Sequence, residues 1–284
     1  PWNFNLGMAF FKKIKQISPN TVTVMGGPNI PLHDEDRTSF ILKNRLIDFY
    51  VYLEGEEAFS NLVERVLEHK DNINKLKLNP IDGIVHSVDN ENIIKGTWLK
   101  RRKTLDEIPS PYLGGFLDKF FDGQLSPMIE TNRGCPFTCT FCNSPSNNVI
   151  YKNETGSVFY RKKSLKRLEK ELTHMVELHN PEFIYFVVDT FLAMSDKELN
   201  EFAALYKSFR IPFWMNTRAE TINDYRAGVL EEMNCLRINI GIEHGNPEYR
   251  QKVLGRKVTN ETMLNAFRSC SGRNFVTVAN SIIG

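Results

Sequence analysis

The sequence lacks several features that are typical of membrane-spanning proteins and of proteins that bind nucleic acids or anionic membranes. It has no uninterrupted apolar run of the length that crosses a bilayer. Its N-terminus does not show the charged and then apolar order that is typical of a signal peptide. The 36 Lys and Arg residues nearly balance the 34 Asp and Glu residues, which gives no reason to expect a nucleic acid or an anionic membrane as partner. We therefore expect a cytoplasmic protein.

Phosphate-binding glycine loops and a disulfide framework are also missing. Neither a Walker-type motif nor G-x-G-x-x-G occurs in the sequence. The chain has only five cysteines, and three of them are clustered. This distribution favours metal binding in a reducing compartment over disulfides, and we interpret Cys235 and Cys270 as small buried side chains. The 284 residues, 41% hydrophobic and 25% charged, predict a globular protein with room for two domains.

The most informative stretch runs from Pro127 to Asn143 and reads PMIETNRGCPFTCTFCN. It places Cys135, Cys139 and Cys142 in a C-x3-C-x2-C spacing. Three thiolates on so short a loop can converge on one soft metal centre, which favours zinc, copper(I) or an iron–sulfur cluster. On a four-iron cluster, three protein ligands would leave one iron open to bind a substrate.

A fourth ligand that would close a structural zinc site is not evident. Such a site normally takes a fourth Cys or His from a second short element, and no second element follows here. The nearest downstream histidines, His174 and His179, lie on a predicted amphipathic helix, where packed or solvated histidines are the commoner case. A zinc knuckle and three reduced cysteines remain the alternatives to an iron–sulfur cluster.

The motif RGCPFTCTFC, with Phe141 directly before the last cysteine, resembles the cluster loop of the radical S-adenosylmethionine (SAM) enzymes. The resemblance implies that Cys135, Cys139 and Cys142 hold a [4Fe-4S] cluster. It also implies that SAM chelates the open iron through its amino and carboxylate groups, and that Phe141 lies against the adenine.

After Met128 the sequence alternates between strand and helix patterns, which predicts a parallel barrel or open barrel. The predicted strands are Met128 to Thr131, Phe183 to Val188, Phe213 to Asn216, Arg237 to Ile242 and Phe275 to Ile283. The predicted helices are Ser164 to His179, Asp196 to Phe209, Asn223 to Met233 and Thr262 to Gly272, with Ser195 and Asn260 as N-caps. This pattern resembles the partial barrel of the radical SAM core.

Polar side chains stand at the ends of successive predicted strands, where parallel barrels gather their ligand chemistry. The stretches FVVDTF, NTRAET and GIEHGN resemble radical SAM motifs. The resemblance implies that Asp189 contacts the amino group of SAM, and that Arg218 and Glu243 contact its carboxylate and ribose. Each of these residues taken singly is also compatible with a helix cap or a surface ion pair.

The first 69 residues predict a helix from Leu6 to Ile17, strands from Thr21 to Met25 and from Ile47 to Leu53, and a helix from Ala58 to Leu67. This alternation, with glycine-containing turns after the strands, is typical of a doubly wound α/β domain. The motifs GGPN and EGEE resemble the C-terminal half of the cobalamin-binding domain that precedes many radical SAM enzymes. The resemblance implies that Gly26 and Gly27 meet the nucleotide tail of cobalamin. A tight strand-to-loop turn without a ligand is the alternative, because a pair of glycines is a common turn signal.

We thus predict an α/β fold, a partial Rossmann-like cobalamin-binding domain followed by a partial (β/α) radical SAM barrel. The predicted domains are residues 1–69, a linker with a hairpin at 70–126, and a barrel at 127–284 that is truncated after its fifth strand. Because half of one domain and the last strands of the other are missing, we expect the sequence to be an internal fragment of a longer protein.

The resemblance implies an enzyme that cleaves SAM reductively to a 5′-deoxyadenosyl radical, most commonly for cobalamin-dependent methyl transfer to an unactivated carbon. The implied cofactors are a [4Fe-4S] cluster, SAM and cobalamin. The implied partners are a small-molecule or natural-product-like substrate and an electron donor such as flavodoxin or ferredoxin. Alternatives are radical cyclisation or oxidative rearrangement, a front domain that no longer binds cobalamin, and a non-catalytic iron–sulfur or cobalamin-binding module.

Overall fold

The computed structural model describes residues 3–31, 33–69, 72–120 and 127–283. The chain divides into two compact units. The first comprises Pro1–Arg101 with Ser146–Val158, and the second comprises Arg102–Pro145 with Phe159–Gly284. None of the helices in the described ranges combines the length and the apolar character that crossing a membrane requires.

The described residues of the first unit form four strands and four helices before residue 101. The strands are β1 (Val24–Gly27), β2 (Phe49–Tyr52), β3 (Ile84–Ser87) and β4 (Ile93–Lys95), and the helices are α1 (Phe4–Ile17), α2 (Asp34–Lys43), α3 (Glu56–Glu68) and α4 (Ile73–Leu76). Most of a further helix, α5 (Asn143–Thr155), also belongs to this unit.

Strand β2 is the centre of the first unit because all four of its residues are buried. Its sequence FYVY alternates between two apolar clusters. Tyr50 and Tyr52 pack with Ile41 of α2, whereas Phe49 and Val51 pack with residues of α3. A strand that is buried on both faces usually consists of a continuous run of apolar residues, and the sequence of β2 has this pattern.

The predicted hairpin is part of the first unit's sheet, which corrects its assignment to a linker. Strand β1 pairs parallel with β2, β2 pairs antiparallel with β3, and β3 pairs antiparallel with β4. The Asp89 carboxylate closes the turn between β3 and β4 by accepting hydrogen bonds from the backbone N–H groups of Glu91 and Asn92. Residues 70, 71 and 121–126, next to the predicted linker boundaries, lie outside the described part of the chain.

The second unit contains the remaining strands and helices. Its strands are β5 (Met128–Ile129), β6 (Asn132–Arg133), β7 (Arg161–Lys162), β8 (Ile184–Phe186), β9 (Phe213–Arg218), β10 (Cys235–Glu243) and β11 (Val276–Ser281). Its helices are α6 (Leu165–His179), α7 (Asp196–Tyr206), α8 (Asp224–Glu232), α9 (Pro247–Lys252) and α10 (Asn260–Cys270).

Five of these strands form one parallel sheet in the order β5-β8-β9-β10-β11. The spatial order follows the chain order, as it does in a barrel or part of one. All five carboxyl ends therefore lie along one edge. The predicted strand and helix alternation is confirmed, and the structure has the mixed α/β architecture with a parallel sheet that the sequence indicated.

Some local features differ from the prediction. Helices α2, α4, α5 and α9 were not predicted, because each is short or rich in polar residues and residues of low helix propensity. The N-cap of α7 is Ser195 as predicted. The N-cap of α10 is Thr259 rather than Asn260, since the Thr259 hydroxyl accepts the hydrogen bond from the Thr262 N–H group.

Phe186 lies at the centre of an aromatic cluster that attaches the parallel sheet to its helices. Its side chain is fully buried. The Phe186 ring centroid lies 5.1 Å from that of Phe191, 5.2 Å from that of Phe213 and 5.7 Å from those of Phe202 and Tyr206. These pairs are tilted or edge-to-face, the arrangements that the charge distribution of aromatic rings favours.

We expect Phe186→Ala to lower the free energy of unfolding by about 3–5 kcal/mol, because it removes buried aromatic surface and leaves a cavity. Urea titration followed by the fluorescence of Trp214, which lies on the neighbouring strand β9, measures the loss. The control is Phe116→Ala, the same change at a ring that is 70% exposed. Equal losses in the two variants would contradict the packing argument.

Candidate functional site

The cysteine loop lies between β6 and α5 in the second unit, and two glycines allow its path. Gly134 has a φ of +90°, and a Cβ atom there would lie 2.6 Å from the carbonyl oxygen of Phe159. Gly255 has a φ of +65° and packs against Thr138 and Thr140 of the loop. The Thr140 N–H group donates to the Leu254 carbonyl at 3.2 Å. The loop is thus fastened at both its start and its middle.

Each of the three sulfurs has its own polar neighbour. The Cys142 Sγ accepts a hydrogen bond from the Ser144 N–H group at 3.4 Å, and the Cys135 Sγ lies 3.7 Å from the Thr190 hydroxyl. The Cys139 Sγ accepts from Arg218 Nη1 at 2.8 Å. Burial raises the pKa of the Cys135 thiol, so a thiolate there gains from a positively charged metal centre.

The spacing of the sulfurs does not suit a single zinc ion. Among the described residues, which include all three cysteines, the three sulfurs do not form a set whose members all lie within 4.8 Å of one another. With Zn–S bonds of about 2.3 Å, the ligands of a tetrahedral zinc ion lie about 3.8 Å apart. The three sulfurs would therefore have to move closer together to ligate one zinc ion.

Asp189 lies beside the cysteine loop, three residues after the end of β8. Its Oδ2 atom accepts a hydrogen bond from the Ser144 hydroxyl at 3.0 Å, and Ser144 is two residues from Cys142. The Asp189 side chain is otherwise exposed. The carboxylate is therefore held next to the third cysteine while it remains accessible to a ligand.

Arg218, the last residue of β9, contacts the loop in two ways. Its guanidinium carbon lies 3.9 Å from the centroid of the Phe137 ring, and its Nη1 atom reaches Cys139. Its Nε atom donates to Glu220 Oε1 at 2.7 Å. Burial by itself would lower the pKa of Arg218, but the adjacent Glu220 carboxylate and the Cys139 sulfur raise it. Arg218 therefore remains positively charged next to the Cys139 sulfur.

Glu243 ends β10 and is connected to Arg218 through two residues that the sequence analysis did not identify. Arg256, 1% exposed, donates to Glu243 Oε1 at 2.9 Å and contacts Glu220 Oε2 at 3.2 Å. Glu243 has a φ of +62°, and the register between β10 and β11 shifts beside it. The resulting order of contacts is Arg218, Glu220, Arg256 and Glu243. Glu220 lies in the stretch NTRAET and Arg256 lies in GRK. Neither stretch indicates in the sequence that these two residues form an ion pair.

Phe141 and the glycine pair complete the predicted site residues. Phe141 is 45% exposed, so part of its side chain is accessible beside Cys142. Gly26 and Gly27 end β1 in the first unit. A Cβ atom at Gly26 would lie 3.0 Å from Val51 Cβ, and Gly27 has a φ of +116°. Packing and backbone geometry therefore already explain both glycines.

A cavity of about 530 Å³ lies beside Gly26 within the first unit. Its lining includes Met25, Gly26, Pro28, Asn29, Phe40 and Tyr50, together with Gly7 of α1. The Tyr50 hydroxyl donates to the Gly27 carbonyl at 3.3 Å. The turn is thus fixed in position while Gly26 presents bare backbone to the cavity.

Comparison with known proteins identifies the family. The sequence profile described as Radical SAM superfamily matches residues 129–284, more than half of the chain. The chain therefore belongs to the radical SAM superfamily of enzymes. The matched residues begin at Ile129 in β5 and include the cysteine loop and strands β8 to β11 of the parallel sheet.

The curated relatives include cobalamin-dependent members of this superfamily. The chain is 33% identical over 155 residues to the cobalamin-dependent radical SAM methyltransferase TokK of Streptomyces tokunonensis, covering 50% of this chain and 20% of TokK. It is 30% identical over 211 residues to the 2-(S-pantetheinyl)-carbapenam-3-carboxylate methyltransferase of Streptantibioticus cattleyicolor, covering 72% of this chain and 28% of that protein. The chain thus spans less than a third of the length of these two relatives.

Solved structures share the fold over nearly the whole chain. The cobalamin-dependent SAM radical enzyme OxsB aligns with a TM-score of 0.69 at 18% identity, covering 99% of this chain and 39% of OxsB. The radical SAM methyltransferase TsrM of Kitasatospora setae aligns with a TM-score of 0.66 at 16% identity, covering 98% of this chain and 52% of TsrM. The predicted membership of the cobalamin-type radical SAM family is confirmed by the profile together with the curated methyltransferase relatives.

We expect Arg256→Met to lower the free energy of unfolding by about 2–4 kcal/mol, because it leaves Glu220 and Glu243 without their shared cation. The control is Lys252→Met, which removes an exposed ion pair with Glu248 and should cost less than about 1 kcal/mol. Urea denaturation of both variants measures the difference. An Arg256→Met variant as stable as the control would show that the buried pairing contributes nothing.

Proposed function

We propose that Cys135, Cys139 and Cys142 hold a [4Fe-4S] cluster with one iron open for SAM. The observation that carries this proposal is the set of three thiols on one fastened loop, with Arg218 donating to the Cys139 sulfur at 2.8 Å. Hydrogen bonds to the sulfurs of an iron–sulfur cluster are one of the ways in which a protein adjusts its reduction potential. The soft, all-sulfur donor set fits such a cluster.

Asp189, Arg218, Glu243 and Phe141 are the proposed SAM contacts. Three of them follow neighbouring parallel strands, so they share the edge of the sheet on which the cysteine loop begins. The exposed Asp189 carboxylate suits the amino group of SAM, and the exposed Phe141 ring suits its adenine. Arg218 and Glu243 already belong to one chain of ion pairs. These ion pairs would hold the two charged side chains in position to contact the carboxylate and the ribose of SAM.

We propose that the first unit is part of a Rossmann-like cobalamin-binding domain in which Gly26 and Gly27 lie next to the nucleotide tail. The support is the cavity beside Gly26 and the parallel pairing of β1 with β2, whose carboxyl ends both lead into turns. Ligands of open α/β sheets bind at the carboxyl ends of strands. Residues 1–69 with the hairpin would form this domain, and residues 127–284 would form the partial barrel.

When bound, these cofactors would supply reductive cleavage of SAM to a 5′-deoxyadenosyl radical and methyl transfer to an unactivated carbon. Two of the relatives are named as methyltransferases, and one of these names includes cobalamin dependence and radical SAM chemistry, which favours methylation of a small molecule as the reaction. An electron donor such as flavodoxin or ferredoxin is the proposed redox partner. The task of the chain is to orient the reactive groups and to exclude water.

A radical cyclisation is the second candidate because of one relative. The chain is 23% identical over 280 residues to the anaerobic magnesium-protoporphyrin IX monomethyl ester cyclase of Rubrivivax gelatinosus, covering 95% of this chain. The two reactions differ in their products. Methylated product together with S-adenosylhomocysteine would identify methyl transfer, whereas a cyclised product without S-adenosylhomocysteine would identify cyclisation.

We expect Cys139→Ala to lose the cluster, because a three-cysteine site has no spare thiol ligand. The full-length protein is reconstituted anaerobically with iron and sulfide, reduced with dithionite and measured by EPR with and without SAM. The wild type should give a [4Fe-4S]⁺ signal that shifts when SAM is added. The variant should bind little iron and give no such signal.

The matched control for that experiment is Cys235→Ala. Cys235 is 4% exposed and lies on β10, where burial raises the pKa of its thiol. This variant should keep the iron content and the SAM-dependent shift of the wild type. A wild-type cluster that is indifferent to SAM would overturn the enzymatic proposal and leave a non-catalytic iron–sulfur module.

The cobalamin proposal predicts that filling the cavity beside Gly26 expels cobalamin. Gly7, which is within the sequence of α1, lines this cavity. The nearest atom to a Cβ atom added at Gly7 would be Met25 Cε, at 3.6 Å. Leucine is a good helix former, so Gly7→Leu should block the cavity without breaking the helix. We expect the purified variant to retain much less cobalamin than the wild type, as measured by absorbance.

Gly7→Ala is the control for the cavity, since its single methyl group would make only ordinary contact with Met25. This variant should retain cobalamin as the wild type does. Equal cobalamin content in Gly7→Leu and Gly7→Ala would place the cofactor elsewhere or show that the first unit does not hold it.

A further inference from the structure

Two histidines and one aspartate, none of which belongs to the cysteine loop, lie close together in the second unit. Asp118 begins a short 3-10 turn (Asp118–Phe120). His174 and His179 lie in the last two turns of α6. The Nε2 atoms of both rings point at the same oxygen, Asp118 Oδ1, with distances of 3.2 Å for His174 and 3.1 Å for His179. The three ligand atoms all lie within 4.8 Å of one another, and they are the only such group in the described ranges.

These distances match those between the ligands of a small tetrahedral metal site. With bonds of about 2.0–2.2 Å to nitrogen and oxygen, neighbouring ligand atoms of a tetrahedral zinc ion lie about 3.3–3.5 Å apart. Small outward movements of the two rings would therefore admit an ion among the three atoms. The same donor set, two imidazoles and one carboxylate, suits zinc and other divalent first-row metals.

The three side chains range from a buried inner ligand to a solvent-accessible outer ligand, as in a metal site with one open position. The side chain of His179 is 7% exposed, that of His174 is 21% exposed and that of Asp118 is 37% exposed. The inner ligand is thus fixed by packing, whereas the outer one faces solvent. Three protein ligands with an open outer side leave room for water as a fourth ligand.

The charges around the three atoms favour a cation. Hydrogen bonds from His179 and His174 lower the pKa of Asp118, so its carboxylate is ionised at neutral pH. The group lies at the carboxyl end of α6, where the helix dipole places partial negative charge. Asn180 ends the helix in the left-handed conformation immediately beyond His179.

We propose that Asp118, His174 and His179 bind one divalent transition-metal ion, for which zinc is the probe. The ion would fasten the 3-10 turn at Asp118 to the end of α6. None of the three residues belongs to the proposed cluster or SAM site, so this inference stands whether or not the proposed function is correct. The nitrogen and oxygen donors also distinguish the site from the all-sulfur cysteine loop.

The test counts zinc in the full-length protein after anaerobic reconstitution with iron and sulfide, and it compares proteins that all keep the three cysteines of the loop. The protein is equilibrated with Zn(II), freed of unbound metal and measured by mass spectrometry of the metals. We expect the wild type to hold one zinc ion per chain more than Asp118→Asn or His174→Gln. Each variant should weaken zinc binding by at least about tenfold.

A second readout separates a metal site from a simple ion pair. Because zinc would bind the folded state, added Zn(II) should raise the melting temperature of the wild type and not that of Asp118→Asn. Both substituted positions are partly exposed, so the variants should fold, and circular dichroism checks this. A wild type that holds no extra zinc would overturn the proposal.

His69→Gln is the matched control. His69 also follows the end of a helix, α3, where its Nδ1 atom lies 3.0 Å from the Arg65 carbonyl. It has no place in a three-ligand group of the described residues. This variant should bind zinc as the wild type does. Loss of zinc from His69→Gln equal to that from His174→Gln would show non-specific binding and sink the proposed site.

Discussion

The parallel pairing of β5, β8, β9, β10 and β11 is the constraint on which the rest of the second unit depends. Parallel strands in chain order bring all their carboxyl ends to one edge, and each connection must return through a helix on the outside. The cysteine loop, Asp189, Arg218 and Glu243 therefore reach the same edge although they are far apart in the sequence. The aromatic cluster around Phe186 makes this arrangement rigid by packing the sheet onto its helices.

Charge pairing supports the edge where the cofactors are proposed to bind. A buried guanidinium such as that of Arg256 is tolerated only when its charge and its N–H groups find partners. Glu220 and Glu243 balance the charge and accept from the two terminal nitrogens of Arg256, and Glu220 also orients Arg218 toward Cys139. The ends of β9 and β10 are thereby coupled to the cysteine loop. This coupling is a physical reason for the loop to keep its shape before any cluster is assembled.

The second unit offers two kinds of metal ligand in separate groups of residues. The thiols of the cysteine loop are soft donors, and the imidazoles and carboxylate of Asp118, His174 and His179 are harder ones. An iron–sulfur cluster needs the sulfur donors, whereas the nitrogen and oxygen donors suit a single divalent ion such as zinc. The first centre serves the proposed chemistry, whereas the second would stabilise the turn that precedes β5.

The sequence by itself determined the family and most strands and helices of the barrel, and it predicted the cysteine ligands, because these follow from a local motif and from short periodic patterns. It did not determine that the hairpin at β3 and β4 joins the first sheet, because strand partners are not encoded locally. Only the tertiary structure brought Arg256 between Glu220 and Glu243, and Asp118 to His174 and His179, which are 56 and 61 residues further along the chain. Contacts over such separations depend on how whole elements pack, so no spacing rule in the sequence reveals them.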